Sequence, residues 1–201
     1  MKLYYAAGAC SLATRIVAAE AGISLETESV DLRQKRTASG KDFLEINVKG
    51  FVPALQLDDG QVLTEGPVVM QYLADLRPDT GLAPAYGTLA RYRLQEVLGF
   101  LNSEVHKTYG PLFYPTTPED VRAERKRTLH NKYAILEARL SRRPWLIGEQ
   151  FTIADAYMFT LTSWAAPLGV DLSSFEGVQT FQQRAAARPK VQESLHAEGL
   201  D

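Results

Sequence analysis

The single cysteine of the chain, Cys10, lies in Gly8-Ala-Cys-Ser-Leu-Ala, one residue before helical periodicity begins at Ser11. A thiol at a helix N-terminus meets unpaired backbone N–H groups. Their partial positive charge lowers its pKa and favours an anion there. The residue alone leaves three readings open: a small packed hydrophobe, a nucleophile, or part of a socket for a thiol brought by another molecule. Position 13 is Ala13, so a two-cysteine redox motif is absent.

Other residues with chemistry in them stand at punctuated positions. Val52-Pro53 opens a strand, where proline fits only at an edge or as first residue. A cis bond there would leave the Val52 N–H and C=O to pair with an extended peptide; an ordinary strand-start proline would do nothing more. Glu65-Gly66 marks a strand-to-helix junction, where N–H groups bind a carboxylate and Glu65 could hold an amine. Without a ligand, the same acid simply favours the helix dipole. Gly99, Ser103 and His106 fall at i, i+4 and i+7, a small-polar stripe opposite Leu94, Leu98, Leu101 and Val105. Such a stripe lines a pocket or faces water. Thr152 and Asp155 form a capping box before an apolar helix, a structural motif to which we assign no chemistry. Three histidines without metal-ligand spacing and one cysteine predict no metal site.

The elements that must carry these residues follow from periodicity. Lys2-Leu-Tyr-Tyr-Ala reads as a strand and Ser11 to Gly22 as a helix. Residues 25–32 alternate as a strand. The basic stretch 33–47 reads as loop with one short helix. The Asp58-Asp59-Gly60 turn joins two strands as a hairpin, and residues 66–77 form a helix stopped by Pro78. From there the proline- and glycine-rich 78–87 reads as a linker, and everything beyond it is helical. The expected organisation is an α/β domain over 1–77, the linker over 78–87, and an all-α domain over 88–201.

Composition narrows the function. The chain has 201 residues, 45% hydrophobic and 23% charged, the usage of an ordinary folded protein. A formal net charge of −2 argues against a general nucleic-acid binder. The lack of an 18-residue apolar run predicts no membrane span, and the N-terminus does not read as a signal peptide. The basic residues Arg122, Arg125, Lys126 and Arg127 sit among acids and read as a solvated helix face.

Taken in order, MKLYY…GACSLA, VDL…K, VPALQLDDG…LTEG, QYLAD, EVHK…PLF, FTIADAY and RPKVQESLHAEGL resemble a bacterial beta-class cytosolic glutathione S-transferase over essentially the whole chain. The resemblance implies an α/β thioredoxin-like N-terminal domain and an all-α C-terminal domain. It further implies a cytoplasmic homodimer and glutathione as co-substrate without a metal. By the same resemblance Cys10, Ser11, Lys35, Val52, Pro53, Glu65 and Gly66 bind glutathione along the first domain. Ser103, Glu104, His106 and Lys107 add the second domain's share, with Cys10 and His106 catalytic and His106 near the thiol. Gly99 departs from relatives that carry asparagine, which removes a side-chain contact and widens the pocket. Tyr109, Phe113 and Trp164 are candidate walls, by residue type, for a small hydrophobic electrophile. The activity expected is conjugation of the glutathione thiolate to such electrophiles. The alternatives are glutathione-dependent thiol–disulfide exchange or dehalogenation through Cys10, or a non-catalytic carrier of hydrophobic ligands.

Overall fold

The computed structural model of the protein describes residues 1–200, which form two compact units. The first comprises Met1–Ala83 together with the segment from Arg188 on, and the second Pro84–Ala187.

In the first unit a five-stranded sheet runs in the order β3-β2-β1-β4-β5. Its strands are β1 (Lys2–Tyr5), β2 (Glu26–Asp31), β3 (Arg36–Thr37), β4 (Ala54–Gln56) and β5 (Val62–Thr64). β1 and β2 are parallel, as the intervening helix α1 (Ser11–Glu20) requires; the remaining pairs are antiparallel. β1 is central, and both of its middle residues are enclosed because successive side chains face opposite sides. Tyr4 packs with Val30, Phe43, Val52 and Ala54, under the short helix α2 (Phe43–Ile46). Leu3 faces the other way, on the side of α1 and α3 (Gly66–Leu76). The Asp58-Asp59-Gly60 turn closes the β4–β5 hairpin as its sequence predicts, with Gly60 at φ +87°. β3 was not visible in the sequence: two residues long, it pairs Val30 with Thr37 and Asp31 with Arg36.

The second unit contains α4 (Leu89–Phe100), a wide π-helical turn over Leu101–His106, α5 (Lys107–Tyr109), α6 (Glu119–Leu140), α7 (Ile153–Ser163) and α8 (Glu176–Ala186). Leu94, Val97, Leu98, Leu101 and Val105 are all buried, as their spacing predicts. The Thr152–Asp155 capping box forms. Asp155 Oδ2 accepts from the Thr152 N–H and hydroxyl, both at 2.8 Å, and Oδ1 accepts from the Leu146 N–H at 2.8 Å. Burial pushes this carboxyl up to about 6, against the pull of those hydrogen bonds.

The expected boundary at the C-terminus is corrected. α9 (Pro189–Ala197) packs on α1 in the first unit and does not extend the helical one. The reason is a set of ion pairs between distant parts of the chain. Arg188 grips Glu20 through Nε and Nη2, both at 2.7 Å. Glu198, its side chain fully enclosed, accepts from Arg15 Nε and from the Gly8 N–H, each at 2.9 Å. A buried carboxylate needs such partners to be tolerated.

Candidate functional site

In the first unit, three turns converge. Cys10 is the N-cap of α1, and its Sγ donates to the Val52 carbonyl at 3.1 Å. The Val52–Pro53 bond is cis. A Cβ built on Gly66, the first residue of α3, would come within 3.7 Å of the Pro53 ring, so the start of α3 lies against that turn. Thiol, extended backbone and helix start are thereby gathered into one cluster.

One expectation about this cluster is corrected. The helix terminus does not lower the Cys10 thiol. Burial pushes it up to about 12, more than the Cys10 and Ser11 N–H groups can counter, and the Glu65 charge adds to the rise. The thiol is therefore neutral and acts as a donor. The Val52 carbonyl accepts this S–H with one of its two lone pairs and keeps the other.

Ser11 is fully buried and serves the loop before it. Its hydroxyl donates to the Ala6 carbonyl and accepts from the Ala6 N–H, both at 3.2 Å. This fixes the path from β1 into α1. Lys35, at φ +55°, reaches over the Phe51 ring and donates to the Gly50 carbonyl at 2.8 Å. Glu65 holds a positive φ of 69°, a conformation that costs a non-glycine residue about 1–3 kcal/mol and clusters at ligand sites. Its carboxylate is exposed and pairs with Lys49 Nζ at 2.7 Å; the same ammonium donates to the Thr64 hydroxyl at 3.0 Å. Lys49 was not among the residues that the sequence singled out.

The second unit carries a different cluster. His106 ends the π-helical turn, half-buried, with Nδ1 2.7 Å from the Tyr157 hydroxyl. That hydroxyl donates to Asn102 Oδ1 at 2.9 Å. The imidazole also lies 5.1 Å from the Trp164 ring, which meets Phe113 and Tyr109 edge-on at 5.1 and 5.6 Å. Burial among these rings lowers the His106 pKa to about 4, and the Lys107 charge contributes in the same direction.

The expected Gly99/Ser103/His106 stripe is not a uniform face. Ser103 and Gly99 are exposed, and a Cβ at Gly99 would meet nothing within 4 Å. Within the stretch that reaches His106, the hydrogen bonding widens to i→i+5, so α-helical spacing no longer applies. Ser103 touches Glu104 at 3.4 Å, and Glu104 is bridged to Lys132 at 2.7 Å, which holds its carboxyl below the usual range.

Of the candidate walls, Phe113 is 48% exposed, whereas Trp164 is buried and Tyr109 is completely enclosed. Tyr109 is corrected to a supporting role: its hydroxyl meets that of Tyr133 at 3.0 Å, and burial raises its pKa. The TIADAY motif, read as purely structural, also supplies Tyr157 to His106.

The sequence matches the family models for the glutathione S-transferase N-terminal domain over residues 7–76 and C-terminal domain over 72–189. It is 45% identical to glutathione S-transferase GstA of Escherichia coli O157:H7 over the full length of both chains. The chain belongs to the glutathione S-transferase family. Two solved structures agree. One is a sphingomonad glutathione S-transferase complexed with glutathione, 42% identical, TM-score 0.96, covering all of both chains. The other is the beta-class enzyme of Sphingomonas chungbukensis, 41% identical, TM-score 0.97, again covering all of both chains. The beta class expected from the sequence fits, and with it a thioredoxin-like first unit in a glutathione transferase.

Among the described residues no group of three His, Cys, Asp or Glu side chains could hold a metal ion, and no helix is long and apolar enough to cross a membrane.

Proposed function

We propose that this transferase binds glutathione on the first unit and conjugates its sulfur to small hydrophobic electrophiles. The observation that carries the reading is the convergence of Cys10, Val52-Pro53 and Gly66 within a glutathione S-transferase chain. An extended peptide pairs with backbone at such a turn, and α-carboxylates suit the start of α3. In this reading Glu65 takes the amino group of the γ-glutamyl end. Lys35 and Lys49 complement the carboxylates, while Ser11 holds the loop. The second unit contributes His106, with Ser103, Glu104 and Lys107 around it, and Phe113 with Trp164 as the apolar wall.

The neutral Cys10 thiol favours conjugation over thiol–disulfide exchange, because exchange needs the thiolate as attacking group. In conjugation the attacking sulfur is that of glutathione. Its S–H proton passes to His106, the thiolate sulfur bonds to the electrophilic carbon, and the leaving group departs with its electron pair. The exposed Phe51 and Val48 of the first unit support assembly as a homodimer, and a bacterial cytoplasmic setting accords with the single free cysteine.

The test is consumption of glutathione with a panel of aryl halides, enones and epoxides, run beside retention on immobilised glutathione. Turnover with at least one class is expected. Retention without turnover across the panel would favour a carrier; failure to be retained would remove the glutathione site. Sedimentation at micromolar concentration is expected to give a dimer mass.

A further inference from the structure

The Tyr157 hydroxyl has one proton and stands between two acceptor-capable neighbours. It donates that proton to Asn102 Oδ1 at 2.9 Å. The same oxygen lies 2.7 Å from His106 Nδ1, so it accepts there, and the hydrogen of that contact belongs to the imidazole. A neutral imidazole carries a single N–H. Placing it on Nδ1 leaves Nε2 with its lone pair. We infer that Tyr157 and Asn102 are positioning residues that fix His106 as its Nδ1–H tautomer, so that Nε2 is a proton acceptor for a thiol.

The surrounding geometry supports a fixed ring. Tyr157 is buried in α7 and meets the imidazole edge-on at 5.9 Å, while Trp164 packs against it at 5.1 Å. Asn102 and His106 both come from the wide π-helical turn and close on one hydroxyl. π-turns of this sort occur mostly at functional sites. Desolvation keeps the ring uncharged at neutral pH, so the tautomer decides what it can do. A ring with the opposite tautomer would offer Nε2–H as a donor and could not take the proton.

The inference rests on the reading of His106 as the group that receives the glutathione proton, and its test separates the two. Nitrogen-15 spectra of histidine-labelled protein, with the His106 signals identified by their loss in His106→Gln, report the tautomer directly. The wild type is expected to show protonated Nδ1 and unprotonated Nε2. In Asn102→Ala the tyrosine proton is free to turn toward Nδ1, so the hydrogen should move to Nε2. Conjugation kcat should fall about tenfold, with the KM for glutathione held within about twofold. Asn102→Asp keeps an acceptor and should restore both the tautomer and the rate. A wild-type hydrogen on Nε2, or a hydrogen that stays on Nδ1 in Asn102→Ala, would overturn the inference whatever the activity. A tautomer that moves with kcat unchanged would sustain the positioning role and overturn His106 as the proton acceptor.

Discussion

In the first unit the charged groups of the candidate site, Glu65 and Lys49, sit at turns in a half-exposed ion pair; in the second, His106 is packed among aromatic rings. Glu65 and Lys49 remain in contact with water, and their partners are a hydroxyl and each other. His106, Tyr157 and Asn102 form a chain of hydrogen bonds under Trp164. The contrast has a physical use. A charged tripeptide is recognised by charges and backbone that water can reach, so that association costs little desolvation. A proton acceptor works better in a dry, preset environment, where its orientation needs no reorganisation. Cys10 and His106 complete the pairing from opposite ends of the pH scale. Burial drives the thiol up and the imidazole down, and both groups are neutral near pH 7.

The sharpest way to break this comparison is to titrate its two neutral groups. A thiol at about 12 carries on the order of a thousandfold less thiolate than an unperturbed one near neutral pH. Alkylation of Cys10 by iodoacetamide, followed by mass, should be slower than that of free cysteine by about this factor. A rate equal to that of the free amino acid would mean the helix terminus outweighs burial.

Replacement of His106 by Gln should lower conjugation kcat by about a hundredfold, the usual size of a lost proton acceptor. It should also change the acid limb of stability. A folded pKa depressed to about 4 means that the unfolded chain binds the proton first. The stabilisation from this group is present above about pH 6.5 and is lost as pH falls toward 4. Urea midpoints for the two proteins, compared from pH 7 down to 4, should show the wild type losing on the order of 3 kcal/mol more than the variant. Parallel curves would mean the imidazole is open to water, like the groups of the first unit.

A smaller effect is expected at Glu65. Its replacement by Ala should weaken glutathione binding by about 1–3 kcal/mol in calorimetry, as for a lost charged hydrogen bond, and leave the fold intact. Unchanged affinity would remove the γ-glutamyl role. The smallest belongs to Lys49→Ala. An exposed pair contributes about 0.2–1 kcal/mol, and a loss well beyond that would show that Lys49 touches the ligand itself.

Legibility in the sequence divides along the same line. Cys10, Val52-Pro53 and Glu65-Gly66 stand out because turns and helix starts are written in local residue choices. The sheet was readable for the same reason, apart from β3, whose two residues are too few for alternation to register. Lys49, Asn102 and Tyr157 gain their roles from partners 16, 55 and 51 residues away, which periodicity cannot supply. The π-helical turn hid the orientation of His106, since a pattern counted at 3.6 residues per turn misplaces a side chain once the turn widens. The Cys10 pKa was misjudged because the helix terminus is visible in sequence and desolvation is not.

The hydrogen bond from the Gly8 N–H to Glu198 spans 190 residues. A chain made from its N-terminus therefore releases the thiol loop long before it releases the carboxylate that braces it. During that interval β1, α1 and the hairpin can assemble, but Gly8 and Arg15 have no Glu198 to meet. The whole helical unit, Pro84–Ala187, is synthesised in between. Completion of the Cys10 loop therefore waits for Glu198, which is made only after the whole of Pro84–Ala187.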